Sequence, residues 1–518
     1  MVVPELRAWR AARPHVLRIA RTAKPHVTRI TQAVRPRPVQ FTIPQLTAVA
    51  ATVGLALAAG AVAAAGPWDS SGQRTAERDW AASREGEGGI DHGHTSDTSR
   101  KSPQPAPSAA SVLPRLGGSS GRMPAPAEKA LADVLDPLLD NAVLGARRTA
   151  VVVDVATGKR LYGKGADEVQ IPASTTKIAT AVAALSAPGP DHRIQTRTVL
   201  EPDTGEVVLV GGGDPTLTAH KDPQGWASLR TLAADTATAL KARHMDQVTL
   251  SYDTSLYAGP ATHPIGNNGN LAQVTALMVD EARPDDSISG PVERVRDPAA
   301  DAARKFAGLL QGQGIKTTSP GPSKATSRSQ ALASVSSPPL SALVERMLTN
   351  SDNDIAEALA RQVALASGEQ PSFDGGAKAI PAQLKKLGLP LGGADFADGS
   401  GLNRADRLSA DLLTALLARS GDPAHPELRT VLTGLPIAGF TGTLSARYTD
   451  DPSATGVVRA KTGTLTGVNT LAGTVVDTDG RLLAFAFLTS DETHPPNALE
   501  ARTALDHTAT ALATCGCR

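Results

Sequence analysis

A serine and a lysine three residues apart form the first pair in this sequence that could do chemistry. Ser174 and Lys177 lie in the run PASTTK at residues 172–177, where a proline and small polar residues predict the start of a helix. Residues three apart share one face of a helix, with Cβ atoms roughly 5–6 Å apart, so the amine can reach the hydroxyl. A serine hydroxyl needs an adjacent base to become a good nucleophile. The spacing by itself allows nucleophilic catalysis with Lys177 as the base, but it also fits an ordinary helix start.

A lysine can serve as a base only where burial or a nearby positive charge lowers its pKa. The chemistry therefore requires a second cation close to Lys177. Two later segments accompany the first in chain order, Ser351-Asp352-Asn353 and Lys461-Thr462-Gly463. Together, Ser-x-x-Lys, Ser-Asp-Asn and Lys-Thr-Gly are the signature of penicillin-binding proteins and class A β-lactamases. Lys461 is the second cation that this pattern supplies.

The three motifs, in this order and spacing, resemble the class C low-molecular-mass penicillin-binding proteins. Members of that family are serine D-Ala-D-Ala carboxypeptidases that can also act as endopeptidases. The resemblance covers roughly residues 125–513. It extends to further stretches that look like that family, at 211–215 (GGGDP), 398–402 (DGSGL), 435–439 (LPIAG), 442–444 (GTL) and 459–464 (RAKTGT).

The resemblance implies a role for each motif residue. Ser174 would be acylated with Lys177 as its base, Ser351 would relay a proton to the leaving amine, and Asn353 would bind the substrate amide. Lys461 would attract the terminal carboxylate of the substrate and help to keep Lys177 neutral. The backbone N–H groups of Ser174 and Thr464 would form the oxyanion hole. The substrate-binding set that the resemblance implies is Lys461, Thr462, Gly463, Thr464 and Arg404, the last as a contact to the stem peptide.

The expected partners follow from the same chemistry. A substrate that ends in a free carboxylate needs a fixed cation, and Lys461 on a strand edge would provide it. The resemblance implies a peptidoglycan stem peptide ending in D-Ala-D-Ala, with β-lactams as inhibitors. We expect no cofactor and no metal, because the 11 histidines form no metal-ligand spacing. Since no histidine lies near a motif, a Ser-His-Asp hydrolase is disfavoured.

Two other functions are compatible with the same motifs. A class A β-lactamase needs a glutamate that activates the deacylating water. The nearest candidates are Glu357, Glu369 and Glu427, and none lies in a matching motif. Glu357 falls on the helix that follows Asn353, where a structural role is the simpler interpretation. A non-catalytic wall-binding scaffold is the third hypothesis, and the intact catalytic residues argue against it.

Elements from both ends of the chain must bring these residues together. The patterns predict a strand at 148–154 before the Ser174 helix, and a strand at 457–461 and a hairpin over 471–488 near the C-terminus. The predicted fold is α+β, an antiparallel sheet flanked by helices, of the penicillin-binding-protein/β-lactamase-like transpeptidase type. Because the chain between the first two motifs carries strands and helices of its own, we interpret it as an inserted domain. The predicted boundaries are a catalytic domain at 125–189 plus 336–518 and an inserted domain at 190–335.

The first 124 residues divide into three segments of different composition. Residues 1–42 are basic and predict a cytoplasmic flank. Residues 43–66 contain an uncharged run of about twenty residues, enough to cross a ~30 Å hydrocarbon core as an anchor, although the alanine-rich end also fits a signal-peptidase site. Residues 67–124, rich in Ser, Gly and Pro, predict a disordered linker. We expect a single-pass cell-membrane protein with its catalytic domain outside, or a secreted one if the segment is cleaved.

Composition excludes several other classes. The chain has 518 residues, 41% hydrophobic and 20% charged, which is ordinary for globular proteins and long enough for two or three domains. A net charge of +1 predicts no nucleic-acid partner. Cys515 and Cys517 lie away from every motif, which disfavours thiol catalysis. They could form a small strained disulfide or remain free thiols.

Overall fold

The computed structural model describes residues 126–449 and 452–517, all within the compact unit Ala110–Arg518. The three segments predicted at 1–42, 43–66 and 67–124 lie outside the described residues. Among the helices that are described, none has the length and apolar character needed to span a bilayer.

The described chain contains both helices and strands. The helices are α1 Glu128–Leu139, α2 Thr176–Ser186, α3 Leu229–Lys241, α4 Pro298–Gly312, α5 Leu340–Asn350, α6 Asn353–Ala366, α7 Phe373–Lys386, α8 Ala410–Gly421, α9 Thr430–Thr433 and α10 Ala498–Thr514. The strands are β1 Arg147–Asp154, β2 Arg160–Lys164, β3 Val169–Gln170, β4 Gln195–Leu200, β5 Glu206–Val210, β6 Gln247–Asp253, β7 Lys316–Thr317, β8 Gly321–Pro322, β9 Gln330–Ser336, β10 Leu408–Ser409, β11 Val458–Leu465, β12 Val468–Val476 and β13 Leu482–Ser490.

The main sheet joins the two ends of the folded region. Its order is β11-β12-β13-β1-β2, and every neighbouring pair is antiparallel. Strand β1 pairs with β13 from Arg147 opposite Ser490 to Asp154 opposite Leu483. The predicted antiparallel sheet flanked by helices is therefore confirmed. The strand predicted at 457–461 continues to Leu465, so the whole third motif lies on β11.

Both faces of this sheet are covered, because its strands alternate apolar side chains between the two sides. In β13, residues 484, 486 and 488 belong to the core with α2 and α5–α8. Residues 483, 485 and 487 belong to the core with α1 and α10 on the opposite face. Helix α2 lies on the face of residues 484, 486 and 488. Its residues 176–185 are all buried. The polar groups at residues 176–185 are thereby removed from bulk water.

Residues 195–336 contribute a second sheet, of order β7-β6-β5-β4-β9, with β8 also paired to β6. It is mixed, because β4 is antiparallel to β5 and β9 whereas β6 runs parallel to β5, β7 and β8. Helices α3 and α4 pack with it in a core built from residues 200–335. The sequence patterns predicted the strands at 206–210 and 247–252 and both helices, but neither the remaining strands nor the parallel pairing. The boundaries at 190 and 335 stay a prediction.

Candidate active site

A short 3₁₀ turn, Ala173–Thr175, carries Ser174 immediately before α2. Two hydroxyl groups fix this turn by donating to the Pro172 carbonyl oxygen, from Thr175 at 2.7 Å and from Thr470 of β12 at 2.9 Å. Ala173 has a φ of 47°, a left-handed conformation that is uncommon outside glycine and costs of order 1–3 kcal/mol. The sheet therefore holds the serine in a defined, strained position.

The Lys177 amine contacts the Ser174 hydroxyl, as the spacing predicts. Its Nζ lies 3.1 Å from Ser174 Oγ. It also donates to Asn353 Oδ1 at 2.6 Å and to the carbonyl oxygen of Ser400 at 2.6 Å. The first two motifs thus meet at one nitrogen atom, together with a backbone oxygen from a third part of the chain.

Burial governs the protonation of Lys177. Its side chain has no exposure to solvent, because α2 is enclosed by helices and sheet. Desolvation lowers the pKa of Lys177 to about 8, against the opposing effect of surrounding carboxylates, chiefly Asp398 and Glu357. An amine with this pKa is partly neutral near neutral pH, which is the requirement for a general base.

The carbonyl of Ser400 is held by a buried loop. Asp398 accepts hydrogen bonds from the backbone N–H groups of Ser400 at 3.0 Å and Gly401 at 2.6 Å. Glu357 of α6 accepts from the N–H groups of Gly399 at 3.1 Å and Ser400 at 3.0 Å. Gly401 has a φ of 80°, and a Cβ there would collide with the Ala173 carbonyl. The loop therefore packs directly against the turn that carries Ser174.

The second motif lies at the junction of α5 and α6. Ser351 ends α5 in the left-handed conformation, with a φ of 58°. Asp352 then caps α6 by accepting from the N–H of Ile355 at 3.0 Å, as an N-cap aspartate is expected to do. This tight junction directs Ser351 and Asn353 toward the same cluster. The Asn353 amide also donates from Nδ2 to the Asn270 carbonyl at 2.9 Å.

The third motif brings Lys461 to Ser351. Lys461 Nζ donates to Ser351 Oγ at 2.8 Å and to the carbonyl of Thr462 at 2.9 Å. Its side chain is fully buried, and burial, followed by the charge on Lys177, lowers the pKa of Lys461 well below the usual lysine value. The two lysines therefore lie near enough for the charge on one to disfavour the charge on the other. The second lysine that the sequence pattern supplies thus lies in the same cluster, although it is burial that lowers the pKa of Lys177.

Strand β11 is an edge strand of the main sheet. Residues 436–438 cover the first half of this edge. The N–H of Ala438 donates to the Val458 carbonyl oxygen, and the N–H of Ala460 donates to the Pro436 carbonyl oxygen, each at 3.0 Å. In the described parts of the chain, no strand pairs with the outer edge beyond Ala460. A Cβ at Gly463 would lie 2.8 Å from the Pro172 carbonyl oxygen. Glycine is therefore required where β11 passes the turn that carries Ser174.

The other predicted substrate-binding residues lie around this edge. Thr462 donates its hydroxyl to Thr443 at 3.0 Å, and Thr464 is exposed. Arg404 lies apart from the two lysines, since it pairs with Glu492 at 3.0 Å and donates to the carbonyl of Thr466, in the turn after β11.

The structure adds residues that the sequence patterns did not assign to the site. The Ser400 carbonyl is a backbone group, so its residue type carried no signal, although the glycine-rich run at 398–402 marked the loop. Asn270 and His263 come from the predicted insertion, and neither lies in a motif. The proposed structural role of Glu357 fits its position, since its carboxylate is buried and bonded to two N–H groups. Cys515 and Cys517 are paired as a disulfide, remote from this cluster in the chain.

Comparisons with known proteins identify the family of this chain. The family model described as D-Ala-D-Ala carboxypeptidase 3 (S13) matches residues 130–289 and 274–512. The chain is 36% identical over 437 residues to Carboxypeptidase DacB of Mycolicibacterium smegmatis, covering 82% of this chain and 92% of that protein. It is 28% identical over 460 residues to the D-alanyl-D-alanine carboxypeptidase of Actinomadura sp., covering 74% and 84% of the two chains.

Solved structures share the fold. Penicillin binding protein 4 (dacB) from Haemophilus influenzae superposes with a TM-score of 0.59 at 22% identity, over 74% of this chain and 98% of that one. The same protein complexed with a β-lactam gives a TM-score of 0.57 at 22% identity, with the same coverage. The predicted fold class is thus confirmed. With its family model matched over most of the folded region, this chain belongs to the D-Ala-D-Ala carboxypeptidase 3 (S13) family.

Proposed function

We propose that Ser174 is the nucleophile, and Lys177 the general base, of this serine-type D-Ala-D-Ala carboxypeptidase. The observation that carries the assignment is the buried Lys177 amine 3.1 Å from Ser174 Oγ, with its pKa lowered to about 8 by desolvation. A neutral amine has two N–H groups and one lone pair. Asn353 Oδ1 and the Ser400 carbonyl can only accept hydrogen bonds from it. They occupy both N–H groups and leave the lone pair for the Ser174 proton.

Attack by Ser174 Oγ on the carbonyl of the penultimate D-alanine forms a tetrahedral intermediate, the precursor of the ester, and passes the hydroxyl proton to Lys177. The developing oxyanion is proposed to accept from the N–H groups of Ser174 and Thr464, and losing one such donor typically costs about 10²–10³ in rate. The C–N bond to the terminal D-alanine then breaks. Water hydrolyses the ester and restores the serine.

Ser351 is proposed to deliver the proton to the leaving amine. Its oxygen accepts from Lys461 at 2.8 Å, so its own hydrogen is free to point into the cleft. The carboxylate of the terminal D-alanine stabilises the charged form of Lys461 on arrival, since an opposite charge raises the pKa of a lysine. Thr462 is proposed to donate to the same carboxylate, and the uncovered edge of β11 to align the stem peptide. Arg404, beside that edge, is proposed to contact the stem peptide further along.

A β-lactam offers the same amide bond and carboxylate to this site, so we propose that it acylates Ser174 and inhibits the enzyme. The β-lactam complex of the Haemophilus protein supports this view. A β-lactamase is less well supported. Glu357 is occupied by two backbone N–H groups, and Glu427 is bonded to His425 at 2.9 Å. Neither offers a free carboxylate for a deacylating water.

The test uses the full-length protein and a muropeptide ending in D-Ala-D-Ala, followed by mass analysis. We expect loss of one alanine, and no loss with Ser174→Ala. Labelling by a fluorescent penicillin is expected to follow the same pattern. Cleavage of a cross-linked dimer would add endopeptidase activity. Rapid turnover of the penicillin without a persistent adduct would identify a β-lactamase, and no labelling of the wild type would contradict the enzyme assignment.

Membrane anchoring and domain organisation are further parts of the proposal. We propose that residues 43–66 anchor the chain, with 1–42 in the cytoplasm and 67–124 as a tether that lets the catalytic domain reach peptidoglycan. The charge asymmetry around the apolar run supports this orientation. The domain division at 190 and 335 is supported by the separate core of the second sheet. Membrane fractionation, with protease digestion of intact cells, tests the anchor. A protein found only in the medium would favour cleavage.

A further inference from the structure

Residues 263–294, here called the bridging segment, belong to the predicted insertion. They contact α6 and the buried loop that carries Asp398 and Ser400. They carry His263, Asn270, Ala272 and Arg294 into the buried surroundings of Lys177. No motif includes these residues. Besides Ser174 Oγ, the Lys177 amine contacts Asn353 Oδ1 and the Ser400 carbonyl oxygen. The bridging segment contacts the residues that hold both of these oxygen atoms.

The first contact acts on the Ser400 carbonyl. His263 is buried, with 3% exposure, and its Nε2 lies 2.9 Å from Asp398 Oδ2. The backbone N–H of Ile265 donates to His263 Nδ1 at 3.2 Å, which places the ring proton of the neutral imidazole on Nε2. The histidine therefore donates to the carboxylate that organises the loop of Ser400.

The second set of contacts acts on Asn353. The Asn270 carbonyl accepts from Asn353 Nδ2 at 2.9 Å, which turns Asn353 Oδ1 toward Lys177. Next to it, Asp354 accepts from the N–H of Ala272 at 2.8 Å and from Arg294 Nη2 at 2.8 Å. Arg294 and Asp354 are both buried at their side chains, at 6% and 1% exposure. A buried ion pair holds its partners firmly, because separating them leaves an uncompensated charge.

We propose that the bridging segment positions the general base: it fixes both carbonyl acceptors of Lys177, and so aims the amine lone pair at Ser174. His263 acts through Asp398 and Ser400, and Arg294 acts through Asp354 and Asn353. These are positioning residues that touch neither substrate nor nucleophile. The inference rests on the proposed function, since it requires Lys177 to be the base.

The test measures acylation of the full-length protein by a fluorescent penicillin as a function of concentration and pH. We expect His263→Leu to lower the maximal acylation rate about 10–100-fold, the range for loss of the hydrogen-bond partners that orient metal ligands, with little change in the half-saturating concentration. His263→Gln keeps a donor in the place of Nε2 and is expected to recover most of the rate. Arg294→Met is expected to lower the rate similarly. Because both variants disturb one amine, the double variant should lose less than the product of the two effects.

The pH profile separates positioning from partial unfolding. The carboxylates that raise the pKa of Lys177 are Asp398, Glu357, Asp352 and Asp406, against desolvation, which lowers it. Without the His263 donor, Asp398 is less readily charged, and Lys177 also loses the Ser400 acceptor. Both changes disfavour the ammonium form. The midpoint of the rate profile is therefore expected to move to lower pH while the plateau falls, whereas an unfolded fraction would scale the profile without moving it.

Gln362→Met is the matched control. Gln362 is a buried residue of α6 that donates to the Gly212 carbonyl at 3.1 Å, a contact to the same insertion that does not reach Lys177. We expect its acylation rate and midpoint to match the wild type. The proposal is overturned if this control loses as much rate as His263→Leu, if His263→Gln recovers nothing while folded, or if His263→Leu keeps the wild-type rate. Labelling of the wild type and its absence in Ser174→Ala test the proposed function separately.

Discussion

Asn353→Asp puts a carboxylate on the Lys177 amine with almost no change in shape. The wild-type oxygen lies 2.6 Å from Nζ, so the new charge would form a direct ion pair with the ammonium form. An opposite charge at such a distance shifts a pKa by about 1–3 units. Starting from a pKa of about 8, the pKa of Lys177 in the variant is expected near 9–11.

The expected loss of rate follows from the neutral fraction of the base. With a pKa of about 8, roughly one amine in ten is neutral at pH 7. Raising the pKa by about 1–3 units lowers that fraction about 10–1,000-fold. Since a lysine loses its proton as the pH rises, acylation by the variant should recover toward high pH. Any deficit that persists at the plateau measures the lost donor to the Asn270 carbonyl.

The assay is the second-order rate constant for acylation by a fluorescent penicillin between pH 6 and 10, which reports the pKa of the free enzyme. Asn497→Asp is the control, because it makes the same change in charge at the N-cap of α10, on the opposite face of the main sheet, where aspartate caps as well as asparagine. We expect its profile to match the wild type. An Asn353→Asp profile reduced equally at every pH, with an unmoved midpoint, would refute the role of Lys177 as the titrating base.

Three further changes test other parts of the site and fold. Gly463→Ala should slow acylation about 10²-fold, the scale of a 1 Å misplacement, because the added methyl group would press on the Pro172 carbonyl oxygen. A normal acylation rate would contradict the close approach of β11 to Pro172. Ser351→Ala should reduce carboxypeptidase turnover about 10²–10⁴-fold, the usual contribution of a proton-transfer group, while the melting temperature stays near the wild-type value. Asp154→Ala removes the carboxylate that accepts from Arg481 Nη2 at 2.6 Å and should cost about 1.5–3 kcal/mol, the net contribution of a hydrogen bond to a charged group, in denaturant unfolding; an unchanged midpoint would show that the pair contributes nothing to stability.

The catalytic contacts that the sequence could predict are those set by local geometry. One helical turn separates Ser174 from Lys177, and their polar atoms meet at 3.1 Å. The arrival of a second lysine in the same cluster was also foreseeable, and Lys461 lies there, 2.8 Å from Ser351 Oγ. Alternation of apolar residues indicated the antiparallel strands, although the strand at 457–461 was predicted four residues too short because Thr462–Leu465 includes a glycine and polar residues.

Contacts made by backbone atoms, or between distant segments, were beyond the sequence patterns. The Ser400 carbonyl is one of two acceptors that orient Lys177, yet any residue has a carbonyl, so its position alone confers the role. The parallel pairing of β6 with its neighbours in the second sheet was likewise unpredicted, since a periodic strand pattern does not specify its partner. The contact of Asn353 with Asn270 joins positions 83 apart in the chain.

By itself the sequence determined the antiparallel sheet and the proposed reacting groups, because spacing of three on a helix and of two on a strand acts over a few residues. Only the tertiary structure decided which way the base points. That direction depends on the burial of α2, on the loop that Asp398 and Glu357 hold, and on the reach of the bridging segment toward Lys177. Each of these is a packing arrangement between segments far apart in the chain, and no local residue pattern encodes it.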